Sequence, residues 1–133
     1  MANILSGKEV ALALKASLTE EVKALKEKGM IPTLCILMVG DSPDSASYTR
    51  GAVKRCEDIG INCIVKVMPE DITQEKFIEA VRELNHDTSI HGILIMRPLP
   101  KHISEYVVQY EISPAKDVDC FSPVNVSKVV SGD

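Results

Sequence analysis

No surplus of positive charge runs through this sequence: 15 Lys and Arg face 19 Asp and Glu, for a formal charge of -4. Without a broad basic surface, non-specific nucleic-acid binding has no electrostatic footing, and a small-molecule ligand becomes the default. Cysteine is sparse. Cys35, Cys56, Cys63 and Cys120 show no C-x-x-C spacing, which argues against both a zinc site and a disulfide framework. Three of the four sit in apolar stretches, where a free thiol behaves as a small hydrophobe. No apolar run approaches the roughly 20 residues that cross a bilayer, and the opening MANILSGKEV lacks the basic-then-apolar order of a secretory leader. These absences point to a cytoplasmic protein with neither membrane nor nucleic acid among its partners. There is no G-x-G-x-x-G, so no dinucleotide site is read here, and no G-x-S-x-G elbow for a nucleophilic serine. His86, His91 and His102 lack the spacing of metal ligands and read as structural or surface residues.

What is present is one core's worth of apolar sequence: 133 residues, 45% hydrophobic and 26% charged, fit a single globular domain. From Gly7 to Lys28, Val10, Leu14, Leu18, Val22 and Leu25 recur at three- and four-residue steps and predict an amphipathic helix stopped by Gly29. The unbroken run from Thr33 to Val39 predicts a strand covered on both faces, the habit of parallel sheets. Asp44 or Ser45 is expected to cap a second helix reaching Ile59, with Gly60 as its stop. Ile61 to Val67 reads as a strand. Thr73 is the expected N-cap of a third helix whose stripe is Phe77, Ile78, Val81 and Leu84. His91 to Met96 reads as a third strand, Ile103 to Tyr110 as a fourth helix, and Asn125 as the start of another. This order predicts an α/β domain of three layers, α-β-α, with a mostly parallel sheet and helices on both faces. The stop at Asp133, just after a helix begins, reads as a piece of a longer protein.

Ligands of open parallel sheets collect beyond the carboxyl ends of the strands. That rule selects three stretches: Gly40 to Tyr48, Met96 to Pro100, and the polar run Lys116-Asp117-Val118-Asp119. Tyr48, about one turn into its helix, can offer a ring to a flat heterocycle while its hydroxyl stays wet; the structural alternative is a tyrosine packed on a neighbouring strand. Asp117 and Asp119 would share a side if their segment is extended; the alternative is a solvated acidic loop.

Together these stretches resemble the bifunctional methylenetetrahydrofolate dehydrogenase/cyclohydrolase family, specifically its folate-binding, N-terminal catalytic domain. The match runs from Ile4-Leu5-Ser6-Gly7-Lys8 almost to the last residue. The family motif V-G-x-x-P-x-S-x-x-Y stands as Val39 to Tyr48, G-I-L-V-Q-L-P-L-P as Gly92 to Pro100, and K-D-V-D-G-F as Lys116 to Phe121. The resemblance implies a domain over 1-133 with the NAD(P)-binding domain outside this chain. It also implies tetrahydrofolate as substrate, NAD or NADP serving the full-length protein, and a homodimer at full length. By resemblance Tyr48 stacks on the folate and Asp119 binds the polar edge of its pterin. Ser45, Arg97, Pro98 and Pro100 complete the candidate substrate-binding set.

Two family positions are changed. The lysine four residues after the tyrosine, which handles the proton in the cyclohydrolase step, is Ala52, and the glutamine that tunes it is Met96. A methyl group transfers no proton, and a thioether is only a weak acceptor. Lys54 lies six residues past Tyr48, rotated roughly 240° around an ideal helix, and should point away. Arg97 stands for a leucine and either brings positive charge to the cleft, where it could bind an anion such as a folate carboxylate, or is an exposed strand-end charge. Cys120 replaces a glycine, which matters if that position needs positive φ, and the local loop is expected to differ. Impaired cyclohydrolase activity follows. The alternatives are a non-catalytic folate- or pterin-binding regulatory module and a signalling receiver domain, the latter opposed by a third strand ending in Met96-Arg97-Pro98 instead of an acceptor aspartate.

Overall fold

The computed structural model describes residues 6–41 and 43–133, the side chain of Asp44 excepted. The elements follow the order α1 (Gly7–Glu27), β1 (Thr33–Val39), α2 (Pro43–Ile59), β2 (Asn62–Met68), α3 (Gln74–His86), β3 (Gly92–Ile95), α4 (Glu105–Glu111) and α5 (Pro123–Ser131). The sheet has the order β2-β1-β3 with both pairings parallel. β1 is central because it is apolar at every position after Thr33: Cys35, Ile36, Leu37 and Met38 are all buried, so alternating side chains are covered on both faces.

Cys35, Leu37, Ile93 and Ile95 form one core with Phe77, Val81 and Leu84 of α3 and Val108 of α4. On the opposite face Thr49 of α2 lies against Met38, with its hydroxyl 3.9 Å from the sulfur. The helices therefore cover both faces of the sheet, in three layers. β2 is an edge strand, and Ile64, Val65 and Val67 remain exposed on it.

Most expected boundaries hold within a residue or two, and the exceptions have local causes. The Thr73 hydroxyl accepts from Lys76 N–H, as a cap should. Within α3, Ala80 joins the fully buried set, whereas Ile78 is only half-buried. β2 starts at Asn62 instead of Ile61, because the Ile61 N–H closes the α2 terminus on Cys56 C=O. β3 is shorter than 91–96, yet His91 and Met96 N–H still donate to Thr33 and Leu37 of β1. α4 begins at Glu105 because Ser104 caps it, and α5 begins at Pro123 because Ser122 caps it; the expected starts at Ile103 and Asn125 are both corrected by a serine. α2 begins at Pro43, so Asp44 and Ser45 belong to its first turn and neither is its cap; residue 42, the position before the helix, and the Ile4-Leu5 opening lie outside the described residues.

The apolar stripe of α1 is only partly used. Val22 is buried beside Gly60, but Val10, Leu14 and Leu18 are exposed, and Leu14 and Leu18 border a groove between α1 and α2. Lys15 of α1 pairs with Asp58 of α2 at 2.8 Å, an exposed tie that adds little to the packing. Among the described residues no helix is long and apolar enough to cross a membrane.

Candidate functional site

A cleft of about 390 Å³ opens at the carboxyl ends of β1 and β3, lined by Ser45, Tyr48, Leu94, Ile95, Met96, Arg97, Pro98 and Asp119. Three separate stretches of chain meet there, each held by a different local device. The first is α2, whose opening turns carry Ser45 and Tyr48. Tyr48 is 58% exposed, so its ring is open to the cleft and not packed against a strand.

The second stretch leaves β3 through the cis Arg97–Pro98 peptide. Leu99 and Ile103 are buried in the core while Arg97 stays outside. Polar ties fix the loop from below: Glu105 accepts from Leu99 N–H at 2.9 Å, Gln74 accepts from Ser104 N–H at 2.8 Å, and His102 Nε2 lies 2.9 Å from Ile72 C=O. Pro100 is not in the main cleft. It lines an adjoining concavity with Gly40, Asp41 and Glu70 that shares Ser45 and Pro98 with the first.

The third stretch, residues 116–121, pairs with β3 beyond the sheet proper. Ile93 bridges Asp117; Ile93 N–H donates to Lys116 C=O at 2.7 Å, and Val118 N–H to Ile93 C=O at 3.4 Å. Gly92 permits the approach, since a Cβ there would lie 2.7 Å from a Val118 methyl. The Lys116 ammonium donates to the carbonyls of Leu84 and Asp87, which tethers the segment to the end of α3.

Beyond Asp117 the segment bends instead of remaining extended, and its two acids have different duties. Asp117 is structural: its carboxylate accepts from the N–H groups of Asp119, Phe121 and Ser122 and from the Asn125 amide. Burial pushes its pKa up, but those hydrogen bonds together outweigh burial and hold the carboxyl below its usual value. Asp119 is the acid in the cleft, where its carboxylate meets the Arg97 guanidinium at 3.4 Å. Cys120 adopts φ 56, a left-handed conformation that glycine takes more readily than a residue with a Cβ.

Arg97 therefore lines the cleft and is not a free strand-end charge; its guanidinium carbon also lies 4.7 Å from the centre of the Phe121 ring. Phe121 was legible only as part of a motif, because nothing local indicates that its ring would support a residue 24 positions earlier. Met96 lines the cleft, whereas half-buried Ala52 does not. Lys54 is exposed and pairs with Asp58 at 3.7 Å, away from the cleft lining. The three histidines serve the backbone: His91 accepts from Thr33 N–H, His86 Nδ1 lies 2.7 Å from Arg82 C=O, and His102 is described above. Among the described residues no group of three His, Cys, Asp or Glu side chains is placed to hold a metal.

The domain is thus an open parallel α/β sheet with an aromatic ring, an acid and an arginine converging on a ligand-sized cleft, at the place where such sheets collect small molecules. Residues 5–119 match the family described as "Tetrahydrofolate dehydrogenase/cyclohydrolase, catalytic domain". The chain belongs to that family. It is 55% identical over 133 residues to the bifunctional protein FolD of Alkaliphilus oremlandii and 49% identical over 130 residues to that of Clostridioides difficile, covering 100% and 98% of this chain but 47% and 45% of those proteins. Among solved structures, the bifunctional FolD dehydrogenase/cyclohydrolase of Campylobacter jejuni superposes with a TM-score of 0.94 at 39% identity, over 98% of this chain and 46% of that one. The Trypanosoma brucei enzyme, solved with NADP cofactor and an inhibitor, gives 0.88 at 35% identity, over 96% and 44%. The chain thus spans about half the length of the relatives it matches.

Proposed function

We propose that this chain is the folate-binding half of a methylenetetrahydrofolate dehydrogenase of one-carbon metabolism, with the cyclohydrolase step impaired. The observation that carries the reading is that Tyr48 and Asp119, 71 residues apart in sequence, line one cleft. An exposed phenol ring beside a carboxylate suits a flat heterocycle with a donor edge: the ring takes the π-face and the acid accepts the N–H groups. Ser45, Arg97 and Pro98 complete the wall, and Pro100 borders the adjoining concavity in reach of a longer ligand.

A nicotinamide cofactor, NAD or NADP, would accept the hydride in the full-length protein, and this chain does not fit it. The turn from β1 to α2 holds one glycine, Gly40, and the Glu70 side chain lies 3.7 Å from where its Cβ would be, an acid where a pyrophosphate would need N–H donors. The chain's own contribution is to bind and orient the folate, which supplies much of such a rate without any titrating side chain. Proton handling is another matter. Ala52 lies one helical turn from Tyr48 and Met96 lines the cleft, so neither family position offers a group that exchanges protons. A homodimer at full length belongs to the same reading, as does a cytoplasmic setting, which the four free cysteines support.

Calorimetry of the chain with tetrahydrofolate tests the proposal. Binding that is lost in Tyr48→Ala is expected; no heat with the parent chain would remove the folate site. Methenyltetrahydrofolate hydrolysis should be near background, and the double change Ala52→Lys with Met96→Gln should raise it. A second reading, a folate- or pterin-binding module without catalysis, is favoured by the joint loss of lysine and glutamine from a cleft that keeps its binding residues. Oxidation of methylenetetrahydrofolate by the full-length protein with NAD or NADP would decide against it.

A further inference from the structure

Arg97 occupies a position where the family motif has leucine, and it holds the acid that the folate reading requires. Its Nη2 meets Asp119 Oδ2 at 3.4 Å, and its guanidinium carbon is 4.7 Å from the centre of the Phe121 ring. Both groups line the cleft. We propose that Arg97 is a specificity-determining latch: it occupies the Asp119 carboxylate in the free protein, and an incoming heterocycle must displace it. This rests on the folate reading of the cleft and adds a competitor within it.

The physical case lies in the geometry and exposure of the pair. At 3.4 Å through one nitrogen, the contact is longer than a strong charge-assisted hydrogen bond and is not the bidentate fork that makes arginine–carboxylate pairs tight. The side chains are 42% and 46% exposed, so water already competes for both charges. Such a pair can be opened by a ligand, but it is not free to open. A heterocycle presenting adjacent N–H donors to Asp119 replaces the guanidinium on the same oxygens. The displaced Arg97 keeps a resting place on the Phe121 ring, where a cation is attracted to the π-face. Leucine at this position would leave the acid unoccupied. Arg97 therefore makes the cleft more selective, since a ligand without a donor edge gains nothing at Asp119 to offset the broken pair.

The test uses the 133-residue chain, its Arg97→Leu and Arg97→Gln variants, and two probes, tetrahydrofolate and a tetrahydropterin lacking the glutamate tail. Far-ultraviolet circular dichroism confirms folding, and the glutamine variant serves if the leucine variant misfolds. The latch predicts that both variants bind both probes about two- to fivefold more tightly, the scale of an exposed ion pair. Raising salt should tighten tetrahydropterin binding to the parent chain, because screening loosens the pair, and leave the variants unchanged. Combining Arg97→Leu with Asp119→Asn should erase the gain. Weaker tetrahydrofolate binding with unchanged tetrahydropterin binding would overturn the latch and make Arg97 an anchor for the glutamate carboxylates. Weaker binding of both would make it a positioning group for Asp119, which also overturns the latch. Failure of the parent chain and both folded variants to bind either probe would instead overturn the folate reading, and the latch with it.

Discussion

On one face of the sheet, Phe77, Val81, Leu84 and Val108 close over Cys35, Leu37, Ile93 and Ile95, and every one of these side chains is buried. On the other face, α1 and α2 leave Val10, Leu14 and Leu18 in solvent, although they recur at helical steps just as the apolar residues of α3 do. The difference teaches that periodicity specifies a face, not its cover. A stripe becomes core only where a second element arrives against it, and α3 has both the sheet and α4, whereas much of α1 has neither.

The sharpest way to test that contrast is a pair of truncations. Phe77→Ala should lower unfolding stability by about 3–5 kcal/mol in a denaturant titration, because it removes a fully buried ring and leaves a cavity. Leu14→Ala, the same kind of truncation on the open face, should fall within about 0.5 kcal/mol of the parent. Equal losses would mean that the α1 stripe is covered after all.

A smaller effect of opposite sign is expected beside the cleft. Cys120 holds φ 56 against the steric preference of any residue with a Cβ, so Cys120→Gly should stabilise the chain by about 1 kcal/mol, read as a rise in the denaturant midpoint. A loss would show that the side chain contributes packing worth more than the strain.

The least effect is a pH dependence with a different origin on each side of the comparison. On the α2 face, burial and the neighbouring Cys56 thiol push the Cys63 thiol up to about 11, above its ordinary 9.0. A raised pKa favours the neutral thiol in the folded chain, so this contribution is complete below pH 9.0 and is lost between pH 9.0 and about 11. In the segment that carries Asp119, the lowered Asp117 pKa works the other way: its contribution is present above its ordinary 3.8 and lost as pH falls through the folded value. Cys63→Ala should flatten only the alkaline limb of a stability profile and Asp117→Asn only the acid limb; thermal unfolding across pH measures both.

The elements themselves were legible in the residues. The unbroken run of β1, the stripe of α3 and the Thr73 cap are local signals, and the structure repeats them. The caps at Ser104 and Ser122 were equally local and could have been read, since each serine immediately precedes its helix. The candidate site was legible in part. Its three stretches follow from where parallel strands end, and Tyr48, Met96, Arg97 and Asp119 do meet. The placement of Pro100 in a side concavity was not legible, nor was the bend that gives Asp117 and Asp119 different duties.

The order of residues alone thus determined the helices, the strands, the parallel α/β layering and the chemical types available to a cleft, because periodicity, caps and turns act between neighbours. Only the tertiary structure decided which acid lines the cleft and which is spent on backbone N–H groups, and that Arg97 meets Asp119 across 22 positions of chain. Those outcomes depend on distances between segments that touch only after the sheet has formed, and no local spacing encodes them.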